Sequence, residues 1–211
     1  MSDAAAVDNG LSFTKDAADP SRRNWIAVTG CAAAAGGVAV AVPFVSSFAP
    51  SEAAKAAGAP VEVDIGAIKA GEKLTVAWRG KPVWIMRRTP EQVAELSKND
   101  AELADPKSER NRPDMTPPYA QNEYRSIKPE VLVVVGICTH LGCSPGDRFT
   151  PGAQPSLPAD WPGGFLCPCH GSTFDLAGRV YKNKPAPDNL QVPPYKFLSD
   201  TRLLIGDDSK A

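Results

Sequence analysis

The sequence predicts a mainly β protein, in which an antiparallel β-sandwich domain with a short helix-loop insertion follows one N-terminal transmembrane helix. Short apolar segments separated by turn residues recur beyond residue 60, and 21 prolines and 17 glycines among 211 residues disfavour a helical bundle. Residues 25–48 contain no charged side chain. As a helix this run would extend about 36 Å, enough to span the hydrocarbon core of a bilayer.

The polar segment 1–24, which precedes the apolar run, ends close to the pair Arg22-Arg23. Twin arginines before a mildly apolar run are typical of a bacterial Tat signal, and they also satisfy the positive-inside rule. Both interpretations keep the N-terminus in the cytoplasm. The run is longer than the apolar part of a secretory signal and lacks a clear cleavage site, which favours a retained anchor. We therefore expect a single-pass protein of the bacterial inner membrane with its soluble domain on the periplasmic side.

The small-residue segment 49–60 has no apolar periodicity, so it is predicted to be a hinge linker. The soluble domain, 61–211, follows. Alternating or β-branched residues predict strands in it, and Thr89, Pro90 and Gln92 predict the capped start of a short helix that reaches about Lys98. The insertion continues as an irregular loop over 105–128. The predicted strands lie at 61–65, 74–78, 82–87, 131–137, 164–166 and 203–206, with a glycine turn at Gly178.

The charge balance argues against a nucleic-acid partner. The chain has 23 basic and 24 acidic residues, a formal net charge of −1 at pH 7. A nearly neutral chain has no electrostatic basis for attracting a phosphate backbone.

The two histidines of the chain and four of its five cysteines occur in two short strings. Cys and His are transition-metal donors, and any four of the six could hold a structural zinc ion. Outside the cytoplasm, two spare thiols would tend to form a disulfide, so four ligands and one disulfide are the economical interpretation. The strings are Cys138-Thr139-His140-Leu141-Gly142-Cys143 and Cys167-Pro168-Cys169-His170-Gly171-Ser172.

These two strings resemble the cluster loops of the Rieske iron–sulfur subunits of ubiquinol–cytochrome c reductase, the cytochrome bc1 complex. Residues 184–190, Lys-Pro-Ala-Pro-Asp-Asn-Leu, resemble the proline loop of that family. The resemblance implies one 2Fe-2S cluster, with Cys138 and Cys167 on one iron and His140 and His170 on the other. It further implies a Cys143–Cys169 disulfide, a Ser172 hydroxyl bonded to a bridging sulfide, and a cluster cover made by Leu141, Pro185 and Pro187.

The resemblance also implies a function. His140 and His170 would form the exposed tip, and through His170 the subunit would accept one electron and one proton from ubiquinol. The electron would pass to cytochrome c1, and the domain would dock on cytochrome b within a dimeric, proton-translocating complex. Phe174 stands where many family members have a tyrosine that bonds a cysteine sulfur, so we expect a lower reduction potential here.

Other interpretations remain open at this point. A Rieske small subunit of an arsenite-oxidase-like periplasmic enzyme would share the loops and the Tat signal. A soluble Rieske ferredoxin is disfavoured by the extra cysteine pair and the anchor, and a plastoquinol-oxidising relative by the insertion at 89–128. The alternative that involves no electron transfer is a structural domain stabilised by a zinc ion.

Overall fold

The computed structural model describes residues 20–110, 112 and 114–209. The described residues up to Ser51 form one compact unit, and the described residues from Glu52 onward form another. Most of the predicted cytoplasmic segment, residues 1–19, lies outside the described residues.

The N-terminal unit contains one long helix, α1 (Pro20–Ser46). Its 27 residues extend about 40 Å, more than a bilayer core requires. Of the helices in the described residues, only α1 is long and apolar enough to cross a membrane. The helix begins five residues before the predicted start at residue 25, so its first turn includes Arg22 and Arg23.

A second short helix, α2 (Glu52–Ala57), lies within the predicted linker 49–60. Four of its six residues are alanine, the strongest helix former, and Lys55 pairs with Glu52 at 2.7 Å. Six residues are too few for a helix that is stable by itself in water. The role of this segment as a hinge therefore stays a prediction.

The described part of the second unit contains nine short strands in three antiparallel sheets, with orders β1-β9-β8, β2-β3-β4 and β5-β6-β7. The prediction of an antiparallel β domain is confirmed, although three small sheets share the strands. The strands are β1 (Val61–Asp64), β2 (Lys73–Trp78), β3 (Lys81–Arg87), β4 (Val131–Val135), β5 (Gly146–Arg148), β6 (Gly164–Leu166), β7 (Thr173–Phe174), β8 (Tyr195–Ser199) and β9 (Arg202–Ile205).

The hairpin β2–β3 turns at Arg79 and Gly80, whose φ angles are 51° and 72°. Two left-handed residues between antiparallel strands are typical of a turn that matches the strand twist. On the other side of β3, the five residues of β4 are all aliphatic and all buried. This buried strand leads directly into the first cysteine–histidine string.

The capping box of α3 (Pro90–Leu96) forms as predicted. The amide of Gln92 donates to Thr89 Oγ1 at 3.2 Å, and the Thr89 amide donates to Gln92 Oε1 at 2.9 Å. The helix ends two residues before the predicted Lys98 and continues as a 3-10 segment, Ser97–Glu102.

The predicted irregular loop 105–128 contains only one short 3-10 turn, Pro118–Ala120, among its described residues. Buried arginines contact this loop and its neighbours, and Arg179 donates to the Pro106 carbonyl at 3.2 Å. Arg179 donates to Asp175 at 2.7 Å and to Asp100 at 2.8 Å. Burial alone would lower the pKa of Arg179, but these carboxylates outweigh it and raise the pKa. The guanidinium therefore stays charged inside the domain.

Candidate metal centre

The first cysteine–histidine string forms a tight loop after β4. The amide of Gly142 donates to the Cys138 carbonyl at 3.1 Å, and the Cys138 amide donates to the Cys143 carbonyl at 2.8 Å. Gly142 has a φ of 83°, in the left-handed region that glycine adopts without strain. These two bonds close residues 138–143 into a rigid turn.

The second string repeats this geometry between β6 and β7. The amide of Gly171 donates to the Cys167 carbonyl at 3.0 Å, and the Cys167 amide donates to the Ser172 carbonyl at 2.8 Å. Gly171 has a φ of 75°. The two strings therefore fold as equivalent loops, each beginning with a cysteine at its base.

The donors divide by depth. Cys138 and Cys167 carry free thiols and are each 2% exposed. His140 is half-buried and His170 is exposed, and their ring centroids lie 4.7 Å apart with nearly perpendicular planes. The loops thus place two thiols inside the domain and two adjacent imidazoles toward its surface.

A disulfide joins the loops through Cys143 and Cys169, with the Cα atoms 6.7 Å apart. The sulfur atoms of Cys143, Cys167 and Cys169 all lie within 4.8 Å of one another, which by distance alone would suggest a three-cysteine metal site. Two of these sulfurs are already bonded to each other and cannot act as thiolate ligands. The donors that remain in the loops are Cys138, Cys167 and the two imidazoles.

The environment of Cys138 suits a metal. Burial raises the pKa of the Cys138 thiol, and the neighbouring Cys167 thiol raises it further. Hydrogen bonds from the His140 amide and the Ser172 hydroxyl to the sulfur act in the opposite direction. Two buried thiols side by side are costly to ionise together without a cation, so a bound metal that replaces both protons fits this donor set.

The proline loop, residues 184–190, contacts both loops. The amide of Ala186 donates to Ser172 Oγ at 3.0 Å, and Thr139 Oγ1 donates to the Asp188 carbonyl at 2.6 Å. Pro185 and Pro187 are exposed on either side of the buried Ala186. Leu141, at the end of the first loop, is 70% exposed. The structure brings the predicted cover residues to the same end of the domain as the donors.

Sequence reasoning missed the residues that fix the proline loop. The Asp188 carboxylate pairs with Arg112 at 3.0 Å, and Arg110 donates to the Pro187 carbonyl. Thr139 was part of a recognised string but was given no role. Ala186 acts through its backbone amide, which leaves no side-chain signal in a sequence.

Comparisons with known proteins show the family of the chain. The sequence model of the Rieske [2Fe-2S] domain family matches residues 119–195. The sequence model of the ubiquinol-cytochrome c reductase Fe-S subunit TAT signal matches residues 14–51. The ubiquinol-cytochrome c reductase iron-sulfur subunit of Allochromatium vinosum is 54% identical over 187 residues, which are 89% of this chain and 88% of that protein. The corresponding Bradyrhizobium diazoefficiens subunit is 44% identical over 93% of this chain and all of that one.

More distant relatives are similar over most of the chain. The Rieske subunit of the mitochondrial cytochrome b-c1 complex of Candida albicans is 40% identical, covering 84% of this chain and 72% of its own length. Among solved structures, a chain of a hyperthermophilic respiratory Complex III is 26% identical and covers 83% of this chain and 96% of that chain, with a TM-score of 0.45.

The sequence relatives decide between the interpretations left open above. Two buried thiols and two imidazoles fit a Rieske-type 2Fe-2S cluster, and a cluster of this kind carries electrons, so the zinc staple is set aside. The Tat signal and α1 identify a membrane-anchored bacterial subunit. With one relative 54% identical over 89% of this chain and another 44% identical over 93% of it, the chain belongs to the family of ubiquinol-cytochrome c reductase iron-sulfur subunits.

Proposed function

We propose that Cys138, Cys167, His140 and His170 are the four ligands of the 2Fe-2S cluster, and that the chain is the electron-transfer subunit of a quinol–cytochrome c reductase. The observation that supports this assignment is the depth of the donors: two free thiols lie at the loop bases and two adjacent imidazoles lie nearer the surface. When bound, such a cluster takes up and releases one electron. Neutral imidazoles in place of two thiolates favour a potential of about −150 to +300 mV.

His170 suits a role at the quinol. It is exposed, and apart from the two histidines neither loop contains an acidic or basic residue that would attract water or a counter-ion to the tip. The His170 imidazole nitrogen that is not a ligand would accept the hydroxyl proton of ubiquinol, and a bound cluster would supply the acceptor for the electron. One proton and one electron would thus leave the quinol, and cytochrome c1 would be the next electron acceptor.

The exposed Leu141 supports docking at an apolar quinol site of cytochrome b. A leucine that is 70% exposed at the tip of a rigid loop presents apolar surface for which the domain offers no partner of its own. Relatives are named as subunits of the cytochrome b-c1 complex, so we propose that this chain assembles with cytochrome b and cytochrome c1 in a dimeric complex.

The topology that serves this role keeps Arg22 and Arg23 in the cytoplasm and α1 in the bacterial inner membrane. The domain then lies on the periplasmic side, where the Cys143–Cys169 disulfide is stable. Residues 49–60 would act as the hinge between quinol and cytochrome c1. A folded metal domain must cross the membrane intact, which is what a Tat route provides.

The ligand assignment is tested on the purified full-length protein. Ascorbate reduction should give a rhombic low-temperature electron paramagnetic resonance signal with a low average g, and iron and sulfide in equal amounts. Cys167→Ser should abolish both. Cys31→Ser is the matched control, because Cys31 is a free cysteine in α1 outside the loops. A signal that survives Cys167→Ser, or zinc in place of iron, would overturn the assignment.

Docking is tested in membranes that contain the whole complex. Leu141→Asp should lower quinol-dependent cytochrome c reduction and leave the resonance signal unchanged, since a carboxylate must be desolvated at an apolar site. Leu198→Asp changes a 48% exposed leucine on β8 and should have no effect. Equal activity in the two variants would contradict docking through Leu141.

A further inference from the structure

We propose that Arg125 is a positioning residue for the cluster site: it fixes the base of the proline loop, so that the Ala186 amide orients the Ser172 hydroxyl for a hydrogen bond to a sulfur of the cluster. The inference rests on the ligand assignment proposed above. It assigns to a residue outside the two metal loops an influence on their hydrogen bonding.

Arg125 is completely buried and uses all of its donor groups. The acceptors belong to three separate segments of the chain: the insertion loop, the turn that follows β7, and the end of the proline loop. They are Ser108 Oγ at 2.7 Å, Thr116 Oγ1 at 2.9 Å, the carbonyls of Ala177 and Gly178 at 3.2 Å each, and the Leu190 carbonyl at 2.6 Å.

The charge of Arg125 has no carboxylate among these acceptors. Burial lowers its pKa to about 10, with Asp175 and Asp105 acting in the opposite direction, so the guanidinium is protonated at neutral pH. A buried cation held only by neutral oxygens is costly to desolvate. The planar guanidinium has five hydrogen-bond donors in a fixed geometry, which a lysine ammonium cannot reproduce.

Ser108 connects Arg125 to the proline loop a second time. Its hydroxyl oxygen also accepts from Asn189 Nδ2 at 3.0 Å, and Asn189 Oδ1 accepts from the Val180 amide at 2.9 Å. Asn189 and Leu190 are the last two residues of the proline loop. Both are therefore tied, directly or through one hydroxyl, to the same guanidinium.

The other end of the proline loop reaches the metal site. The Ala186 amide donates to Ser172 Oγ at 3.0 Å, and Ser172 is completely buried at the end of the second metal loop. Because the amide occupies one lone pair of the hydroxyl oxygen, it restricts where the hydroxyl hydrogen points. Pro185 and Pro187 flank Ala186 with fixed φ angles, so a shift at the base of the loop moves the Ala186 amide.

The test uses Arg125→Lys and Arg88→Lys in the full-length protein in its membranes, with redox titration of the resonance signal. Arg88 is the matched control: it is also almost completely buried, burial lowers its pKa to about 10 as well, and its partners lie outside the proline loop. They are the carbonyls of Tyr124 and Leu176 and the Ser126 hydroxyl. Both substitutions keep the positive charge, so loss of charge cannot explain a difference.

We expect Arg125→Lys to lower the midpoint potential and shift the resonance lines, while Arg88→Lys changes neither. A hydrogen bond to a ligand sulfur stabilises the reduced, more negative state. The reduced-to-oxidised ratio at a fixed ambient potential should fall about fivefold, the factor that one hydrogen bond of typical net strength supplies. Equal effects of the two substitutions, or no effect of Arg125→Lys, would overturn the proposal.

A second background separates positioning from a general loss of packing. In a Ser172→Ala protein no hydroxyl remains to be oriented, so Arg125→Lys should add no further change in potential. A full additional shift there would contradict the proposal. If Arg125→Lys does not assemble, the test uses Ser108→Ala instead. We expect this variant to lower the midpoint potential by a smaller amount, and an unchanged potential would refute the proposal. If the wild-type protein lacks the resonance signal, the ligand assignment itself is contradicted.

Discussion

Gly136 lies against the indole of Trp84 so closely that no side chain fits between them: a Cβ at Gly136 would sit 2.1 Å from Trp84 Cε2. The same indole stacks on Phe165, with ring centroids 4.9 Å apart. Gly136 precedes Cys138 by two residues, and Phe165 precedes Cys167 by two. One side chain of β3 therefore contacts both segments that lead into the metal loops and sets their separation.

Gly136→Ala should destabilise the domain by about 1–3 kcal/mol and lower its iron content, because the added methyl group forces the indole and the first loop apart. Gly146→Ala is the control, since its Cβ would meet no atom closer than 3.7 Å. Urea unfolding and iron analysis of both variants check this. If the two alanines cost the same, Trp84 does not set the loop separation.

Removal of the Cys143–Cys169 disulfide should weaken the contact between the two metal loops. Cys143 and Cys169 are 26 residues apart, and closing a loop of this size in the unfolded chain contributes about 3.5 kcal/mol. The double variant Cys143→Ala/Cys169→Ala should melt at a Tm lower by about 10 °C and release iron faster to a chelator. Cys31→Ala, which removes a free thiol, should do neither. Unchanged iron release in the double variant would argue against the staple.

The chemistry of the site could be predicted from the sequence because its donors are rare and local. With only two histidines in the chain, each beside cysteines, the pattern His140 and His170 make with Cys138 and Cys167 is unlike that of core residues. The capping box at Thr89 and the buried strand β4 were equally predictable, since each depends on neighbours in sequence.

The rest depends on contacts between distant residues. β5 reads Gly-Asp-Arg and has no apolar pattern, because only backbone pairing with β6 makes it a strand. Arg125 in a charged, proline-rich loop resembles a solvated side chain, yet it is completely buried, with Leu190 among its acceptors. Propensity and spacing contain no information on such long-range partners.

The pKa of each of the four tyrosines is raised, by burial for Tyr119, Tyr181 and Tyr195 and mainly by Glu123 for the half-buried Tyr124. For Tyr119 the pKa reaches about 12, while the Tyr195 amide that donates to its oxygen acts in the opposite direction. Between pH 10 and 12 the folded state thus binds more protons than the unfolded state, so stability is complete below pH 10 and falls as the pH rises.

Absorbance at 295 nm and urea midpoints between pH 9 and 12 measure this effect. We expect little phenolate near pH 10 in folded protein and a stability that declines above it. Tyr119→Phe should cost about 1–3 kcal/mol at neutral pH, because the Tyr195 amide loses its acceptor, yet it should flatten the alkaline decline. Normal titration of the folded tyrosines near pH 10 would refute the assignment.

Phe174→Tyr should raise the midpoint potential. Phe174 is fully buried on β7, opposite Phe165 of β6, in the strand that leaves the second metal loop. A hydroxyl at this position, as in the tyrosine of many family members, would donate to a cysteine sulfur and stabilise the reduced state. One bond of about 1 kcal/mol corresponds to a rise of about 40 mV for one electron. Phe197→Tyr adds a hydroxyl on β8, in another sheet, and should leave the potential unchanged. A lowered or unaltered potential in Phe174→Tyr would mean that this ring does not limit the hydrogen bonding of the cluster.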